Sequence, residues 1–470
     1  MIGNMLPSLG EAYYILEWMI RLAMLVAVPL RRAPAATRSW LLLIFFLPVP
    51  GLLLFLAIGR PHFPRWRTAR FDRLRPFFTA LAERLDRATD DVASLPEAAL
   101  LARRLGGLPM VGGNSVTFID DYDAMIDSLV RDIDAARHHV RLLVYIFADD
   151  AAGMKVIDAL ARARARGVAC HMLIDPVGSH KWIRRTLARL HDADVDARAV
   201  LPFRLLRGRT RRDMRNHRKI FLVDGVIGYT GSQNIVSRDF RPGVTNRELV
   251  ARVTGPVVAE LNAIFIGDWF LETEAMLADM PDVPGPTGDA HLQLLPSGAD
   301  YPLHGFEALL VWQIHRALDR VIIVTPYLIS SEDMLGAMRT AAARGVRIDL
   351  VVSAVVDQRL VNLAQSSYYD ELLAGGVRIH RFRDYLLHAK NVSIDGTFGI
   401  VGSSNVDIRS FQLNEEASLL LFDPSAIAVL EGIQRSYLAG SDELEIGHWR
   451  RRPAIRKFAE NVARLVDSLL

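Results

Sequence analysis

The sequence predicts an α/β protein made of a duplicated domain and tied to a membrane by its N-terminus. Three observations predict it. Strand–helix–strand patterns recur in both halves, a nineteen-residue motif is written twice, and the first sixty residues hold a long uncharged apolar run. At 470 residues the chain accommodates two or three domains with proper cores. It is 51% hydrophobic, high for a wholly soluble protein. The net charge is only +3, but Arg60 to Arg75 holds six Arg against one Asp, and Arg204 to Arg218 holds seven against one. Such clusters either face something anionic, such as phospholipid headgroups or nucleic acid, or form a solvated basic face. Cys170 is the only cysteine, so there is no disulfide framework and no cysteine-based metal site. That fits a catalytic body on the reducing side of a membrane.

Residues 1–60 read as a membrane anchor of one or two apolar helices. "WLLLIFFLPVPGLLLFLAIG" (Trp40 to Gly59) has no charge and the length of a bilayer span, which predicts a transmembrane helix kinked at Pro48 and Pro50. Tyr13 to Leu30 carries Glu17 and Arg21, four apart and able to pair on one face, and either crosses the membrane or lies in its surface. Ala33-Pro34-Ala35 resembles a signal-peptide cleavage site. No Lys or Arg precedes the apolar run, however, and Arg31-Arg32 stand directly before the site, so retention is predicted. Residues 61–110 read as a basic juxtamembrane linker whose arginines keep the rest of the chain in the cytoplasm. If both apolar segments cross, Arg31, Arg32 and Arg38 fall outside, against the same rule.

From Val111 onward strands alternate with amphipathic helices. "HHVRLLVYIF" (His138 to Phe147) predicts a buried strand, "AGMKVIDALARARARG" a helix ending at Gly167, and "VACHMLID" a strand to Asp175. The second half repeats this with "DRVIIVTPYLI" (Asp319 to Ile329), "SEDMLGAMRTAAARG" ending at Gly345, and "VRIDLVVS". Gly167 and Gly345 each close a helix where a left-handed residue is wanted. Repeated βαβ units imply sheets covered by helices on both faces. A repeat of roughly 170 residues marks a duplicated domain and not a solenoid. The stretch around "DMPDVPGPTGD" supplies the linker, 276–289, between domains at 111–275 and 290–470.

The doubled motif is "NHRKIFLVDGVIGYTGSQN" (Asn216 to Asn234) and "LHAKNVSIDGTFGIVGSSN" (Leu387 to Asn405). Both copies place His and Lys two apart, Asp five after the Lys, and Gly-Ser-x-Asn after six more residues. The spacing predicts hairpins turning at Gly225 and Gly396. On a strand, His217 and Lys219 project to one face, as do His388 and Lys390. A titratable nitrogen beside a fixed cation suits a phosphoryl group. The chain holds 51 Arg and only five Lys, yet two of those five occupy the same motif position, which points to a need for a compact ammonium. Ser232, Asn234, Ser403 and Asn405 are candidates to hydrogen-bond phosphate oxygens.

This doubled pattern resembles the phospholipase D superfamily, the HKD family. Together with the apolar N-terminus, "YIF", "DPVGS", "NHRK", "SYYDELL" and "GSSNVDIRSFQLNEE", it is similar to the bacterial cardiolipin synthase branch. "GSQN" departs from the Gly-Gly of many synthases, with Ser232 in place to serve. The resemblance implies two phospholipase D-like α-β-α domains packed as a pseudo-dimer around one cleft. One His attacks phosphorus and forms a phospho-histidine, while the other protonates the leaving alcohol and then deprotonates the acceptor. His217 is assigned the attack and His388 the proton transfers. Glu248 in "TNREL" and Glu416 in "LNEEA" match carboxylates that orient the histidines. Asp224 and Asp395 are grouped with His217, Lys219, His388 and Lys390 as the motif's catalytic set, in which they are expected to hold the hairpin rather than do chemistry.

The implied activity is a membrane phosphatidyltransferase that makes cardiolipin from two phosphatidylglycerol molecules, releasing glycerol. No metal or other cofactor is implied. Anionic phospholipids and the membrane are the expected partners, not nucleic acid. The expected location is the inner (cytoplasmic) membrane with the catalytic domains in the cytoplasm. Alternatives are a phospholipase D using water as acceptor, a nuclease, and a non-catalytic lipid-binding protein of the same fold. No HExxH, Walker loop or G-x-G-x-x-G supports zinc hydrolysis, ATP use or dinucleotide binding. Asp175, Gly178 and Ser179 either shape the cleft mouth or make a turn, and Tyr368 and Tyr369 either line an acyl-chain groove or pack. Ile455, Phe458, Val462, Leu465, Val466 and Leu469 form one helical face expected to dock on the body, with contact to the membrane as the alternative.

Overall fold

The computed structural model describes residues 9–32, 34–59, 63–88, 95–202, 213–278 and 280–465. Its first three helices are α1 (Leu9–Ala27), α2 (Pro34–Phe46) and α3 (Pro48–Ile58). The single transmembrane helix expected at Trp40–Gly59 is not formed. The chain leaves helical geometry at Leu47 (φ −130°, ψ 73°). Pro48 has no N–H to continue the ladder and its ring would clash with the preceding turn, which weakens the helix at this point. α2 and α3 then fold back on each other, with Trp40 edge-on to Phe55 at 5.1 Å. Gly51 permits the contact, since a Cβ there would stand 3.0 Å from the Ile44 Cα. Their 13 and 11 residues span roughly 20 and 16 Å, short of a bilayer core of about 30 Å. Among the described residues no helix is long and apolar enough to cross a membrane. In α1, Arg21 pairs with Glu17 at 3.2 Å and also donates to the Phe45 carbonyl at 3.1 Å. The break in the helix leaves that carbonyl without an intrahelical partner.

The basic stretch that follows turns largely inward. In α4 (Arg65–Ala88), Arg67 is fully buried and donates to Glu272 at 2.7 Å. Arg70 donates to the Leu271 carbonyl at 2.8 Å and pairs with Glu274, which also takes Arg73 at 3.0 Å. These arginines dock α4 on the helix Val257–Thr273 and face the chain's own carboxylates, not an outside anion. Arg60 and the stretch 203–212, with most of the second basic cluster, lie outside the described residues. α5 (Glu97–Gly106) follows and packs on the strand Ala290–Ser297.

Among the described residues, both halves of the body share one fifteen-stranded sheet with the same internal order. Val111–Ile119 and Ala290–Ser297 pair antiparallel and join the halves. Outward from the first lie Val250–Thr254, Ile227–Gly231, Ile220–Val223, His139–Val144, Ala169–Ile174 and Asp196–Ala199. Outward from the second lie Glu416–Leu421, Phe398–Gly402, Asn391–Ile394, Arg320–Val324, Arg347–Ser353 and Arg378–Phe382, with Ser441–Glu443 at the edge. The βαβ units run parallel, and the motif hairpins run antiparallel. The repeat legible in the sequence is therefore a repeat of strand order.

Local chemistry sets the element ends. Asp150 accepts from the N–H groups of Ala152 and Gly153 at the start of Ala151–Ala165. Ser331 accepts from Met334 at the start of Glu332–Ala343. Gly167 (φ 86°) and Gly345 (φ 93°) adopt the left-handed conformation expected of them. The strand expected over Asp319–Ile329 is interrupted. Arg320–Val324 stays in the sheet, while Leu328–Ile329 leaves it to pair with Val406–Asp407.

Candidate active site

His217 and His388 precede their hairpins in extended segments rather than sitting on the strands themselves. Each segment leans on the opposite half. The His217 N–H donates to the Glu415 carbonyl at 2.8 Å, and the Glu415 N–H donates to Arg215 at 2.9 Å. In the second copy, Leu386–Leu387 runs parallel to Asn246–Arg247, and the His388 N–H donates to the Arg247 carbonyl at 2.8 Å. This backbone exchange delivers each His beside a carboxylate from the other repeat. His217 Nδ1 meets Glu416 at 3.0 and 3.1 Å, and His388 Nδ1 meets Glu248 at 2.8 Å. The orienting carboxylates expected from the sequence are present, with the partnership crossed between halves.

With Nδ1–H donated to a carboxylate, Nε2 carries the lone pair of a neutral imidazole. Burial favours that neutral form. It pulls His388 down to about 4 against the opposing charge of Glu248, and it lowers His217 against Glu416. Burial likewise brings Lys219 down to about 7 and Lys390 to about 8. Charges reach across the interface: Lys390 lowers His217, and Lys219 lowers His388. Each ammonium turns back on its own histidine's carbonyl, Lys219 at 2.7 Å and Lys390 at 2.5 Å.

The remaining candidates divide. Asn234 uses its Oδ1 to accept from the Ile146 N–H at 3.0 Å, which leaves its amide N–H groups at the cleft. Asn405 also lines the cleft but donates to Asp407 at 2.9 Å. Ser232 and Ser403 do not face a substrate position. Ser232 donates to the Leu249 carbonyl at 3.1 Å, and Ser403 donates to Glu416, which Ser410 also reaches at 2.8 Å. Asp224 and Asp395 lie at the far ends of their strands, outside the cleft. Asp224 accepts from the N–H groups of Arg137, His138 and His139, and Asp395 from those of Leu318, Asp319 and Arg320. Grouping them with the catalytic residues is corrected by this placement.

One cleft of about 210 Å³ holds both histidines. Its walls include residues that motif spacing did not single out. Tyr145 stands edge-on to His217 at 4.9 Å, and Tyr327 stands edge-on to His388 at 6.4 Å. Their shared place just after a buried strand of each repeat was the available signal. Arg241 of the first half pairs with buried Asp357 of the second, which also accepts from the Tyr327 hydroxyl at 2.6 Å. Only the fold brings that pair together. Asp175 is buried and takes Arg215 at 2.9 Å and the N–H of Val177 at 2.8 Å, while Ser179 donates to the Tyr145 carbonyl at 3.1 Å. Both fix the cleft wall. Tyr368 and Tyr369 are core residues, the latter packed on Trp449 at 5.3 Å, and line no groove.

A family model described as "Cardiolipin synthase, PLD-like domain" matches residues 129–269 and 310–436. The chain is 34% identical over 456 residues to cardiolipin synthase A of Pectobacterium atrosepticum, covering 94% of each chain. It is 33% identical to cardiolipin synthase A of Serratia proteamaculans with the same coverage. Among solved structures, the phosphatidylserine synthase of Haemophilus influenzae superposes with a TM-score of 0.62, covering 80% of this chain and 100% of that one at 16% identity. That likeness carries the fold alone.

Proposed function

The chain belongs to the cardiolipin synthase family of phospholipase D-like proteins, and on that premise we propose that it joins two phosphatidylglycerol molecules into cardiolipin and releases glycerol. It is a phosphatidyltransferase. The observation that carries the mechanism is the crossed pairing of His217 with Glu416 and His388 with Glu248 in one cleft.

His217 is the nucleophile. Its Nε2 lone pair forms the N–P bond as the bond from phosphorus to the leaving glycerol oxygen breaks, and His388 gives that oxygen its proton. The hydroxyl of a second phosphatidylglycerol then returns a proton to His388 and attacks phosphorus, and the N–P bond breaks. His388 must enter as imidazolium, and the bound phosphodiester's negative charge raises its pKa for that purpose. Asymmetry in the carboxylates supports the division of roles. Glu416 holds His217 through both oxygens and is itself fixed by Ser403 and Ser410. Glu248 reaches His388 through one oxygen only, with Ser232 beside it as Ser403 is beside Glu416. Lys219, Lys390 and Asn234 supply donors to the phosphoryl oxygens.

The catalytic body comprises 111–275 and 290–470, held at the cytoplasmic face of the inner membrane. α1 to α3 enter one leaflet without crossing. Large apolar side chains cover their outside, including Leu22, Val26, Phe46 and Leu53, each at least 60% exposed. A hairpin that enters and returns also keeps Arg31, Arg32 and Arg38 on the cytoplasmic side, as the charge rule prefers.

The test is lipid mass spectrometry on the purified, detergent-solubilised protein given phosphatidylglycerol alone. Cardiolipin with free glycerol is expected, and His217→Ala or His388→Ala abolishes both. Phosphatidic acid as the sole product would make the protein a lipase.

A further inference from the structure

The C-terminal helix Ala454–Arg464 has one face that no other described residue covers. Its Glu460 and Ala463 are buried against the helix Arg359–Ala374, and Arg452 and Arg456 pair with Glu460. The opposite face carries Ile455, Phe458, Val462 and Leu465, which are 75%, 65%, 45% and 52% exposed. The expectation that this apolar stripe docks on the body is therefore corrected for its described part, since the polar side docks instead. Val466 and Leu469 lie outside the described residues.

We propose that this helix is a second membrane contact, seating its apolar stripe in an anionic phospholipid surface and setting the rim of the active-site cleft against the lipid. Charge complementarity selects the occupant. From Arg450 to Arg464 the chain has six cations and one acidic residue. Arg450 and Arg464 are met by Asp370, Glu332 and Glu371 of other elements, so the charge offered to lipid rests on Arg451, Lys457 and the half-exposed Arg456 side chain. Arg451 and Arg456 are exposed around the stripe. An apolar stripe bordered by cations is the pattern of a helix lying in the headgroup–acyl boundary, where each basic group gains from anionic lipid. Position supports it independently. Ala463 packs in one apolar cluster with Ile329, Val361 and Ile408, and those three residues line the cleft that holds His217 and His388. Leu360, 46% exposed, continues the apolar surface beside them. A diacyl substrate entering this cleft keeps its chains in lipid only if the rim touches the bilayer.

The inference rests on the membrane reading given above, and its test separates the two. Cys170 is the only cysteine and is buried, so a Cys170→Ser chain accepts a single fluorescent label at a chosen site. Full-length Phe458→Cys, Phe46→Cys and Val226→Cys are labelled and reconstituted into phosphatidylglycerol-containing vesicles carrying a lipid-borne quencher. Phe46 is at the turn of the N-terminal hairpin. Val226 is an exposed apolar residue at the hairpin turn remote from His217. Quenching and a blue shift at Phe458 and Phe46, with neither at Val226, are expected. A label at Phe458 that stays aqueous while Phe46 is quenched overturns this inference and leaves the anchor intact. Aqueous labels at both overturn the membrane reading as well. Shielding at Phe458 that appears in detergent and grows with protein concentration means that a second copy covers the stripe, which also overturns it.

Discussion

Glu416, in the second half of the chain, holds Nδ1 of His217, in the first, at 3.0 and 3.1 Å. Glu248 returns the arrangement to His388 at 2.8 Å. Neither half therefore contains a complete His–carboxylate pair. Glu416→Gln and Glu248→Gln are each expected to cut kcat by about 100-fold or more, because the amide neither fixes the tautomer nor stabilises the imidazolium. KM should change little. Steady-state kinetics on the two variants check this, and a variant that keeps wild-type kcat refutes the orienting role.

The lysines predict a pH profile. Burial lowers Lys219 to about 7 and Lys390 to about 8, from an ordinary 10.5. Each is charged below its pKa and neutral above it, so kcat/KM is expected to fall as pH rises through about 7 to 8. His217 must be neutral to attack, and burial lowers it, so the acid limb lies below its ordinary 6.5. Bound phosphodiester favours the ammonium, so the alkaline limb of kcat moves to higher pH than that of kcat/KM. An alkaline limb near 10 in both profiles would contradict this.

Asp224 and Asp395 act on stability. Both adopt a left-handed conformation (φ 53°) and gather three backbone N–H groups each. Burial opposes the charge on Asp224, but the three donors overcome it and hold the carboxyl below its ordinary value. Its contribution is present at neutral pH and lost only as pH falls through that lowered pKa. Asp395→Ala is expected to cost about 2 kcal/mol, seen as a lower Tm, with the specific activity of the folded protein close to that of the parent. A loss of kcat in fully folded protein would return the residue to the chemistry.

Arg241 and Asp357 join the two halves at the cleft wall. Arg241→Ala is expected to raise KM for phosphatidylglycerol by about tenfold with a smaller change in kcat, since it removes a cation from the wall of the cleft where the phosphodiester is proposed to bind. A fall in kcat alone would place Arg241 with the proton-transfer residues.

Much of this architecture was legible in the residues. The βαβ units, the Gly167 and Gly345 helix stops and the motif hairpins follow from local periodicity and turn chemistry. The histidines and lysines were legible because the motif is duplicated. What sequence spacing could not supply is pairing across the interface. Nothing in "LNEEA" says that Glu416 serves a histidine 199 residues away rather than the one in its own repeat. Ser232 and Ser403 look like phosphate donors until the fold turns them onto a carbonyl and a carboxylate. Arg67, Arg70 and Arg73 look like a basic face until the helix Val257–Thr273 brings Glu272 and Glu274 beneath them. The prolines after Trp40 were legible, but whether a helix bends or breaks at Pro48 is decided by packing, here the close approach of Gly51 to Ile44.

The measurement that tests the central claim most directly uses a phosphatidyl ester of p-nitrophenol, whose leaving group needs no proton. In the His388→Ala variant a burst of nitrophenolate equal to the enzyme present is expected, followed by almost no turnover. Mass spectrometry of the alkali-quenched protein should then place a phosphatidyl group on His217. A burst in His217→Ala with the adduct on His388 would contradict the account and reverse the two roles.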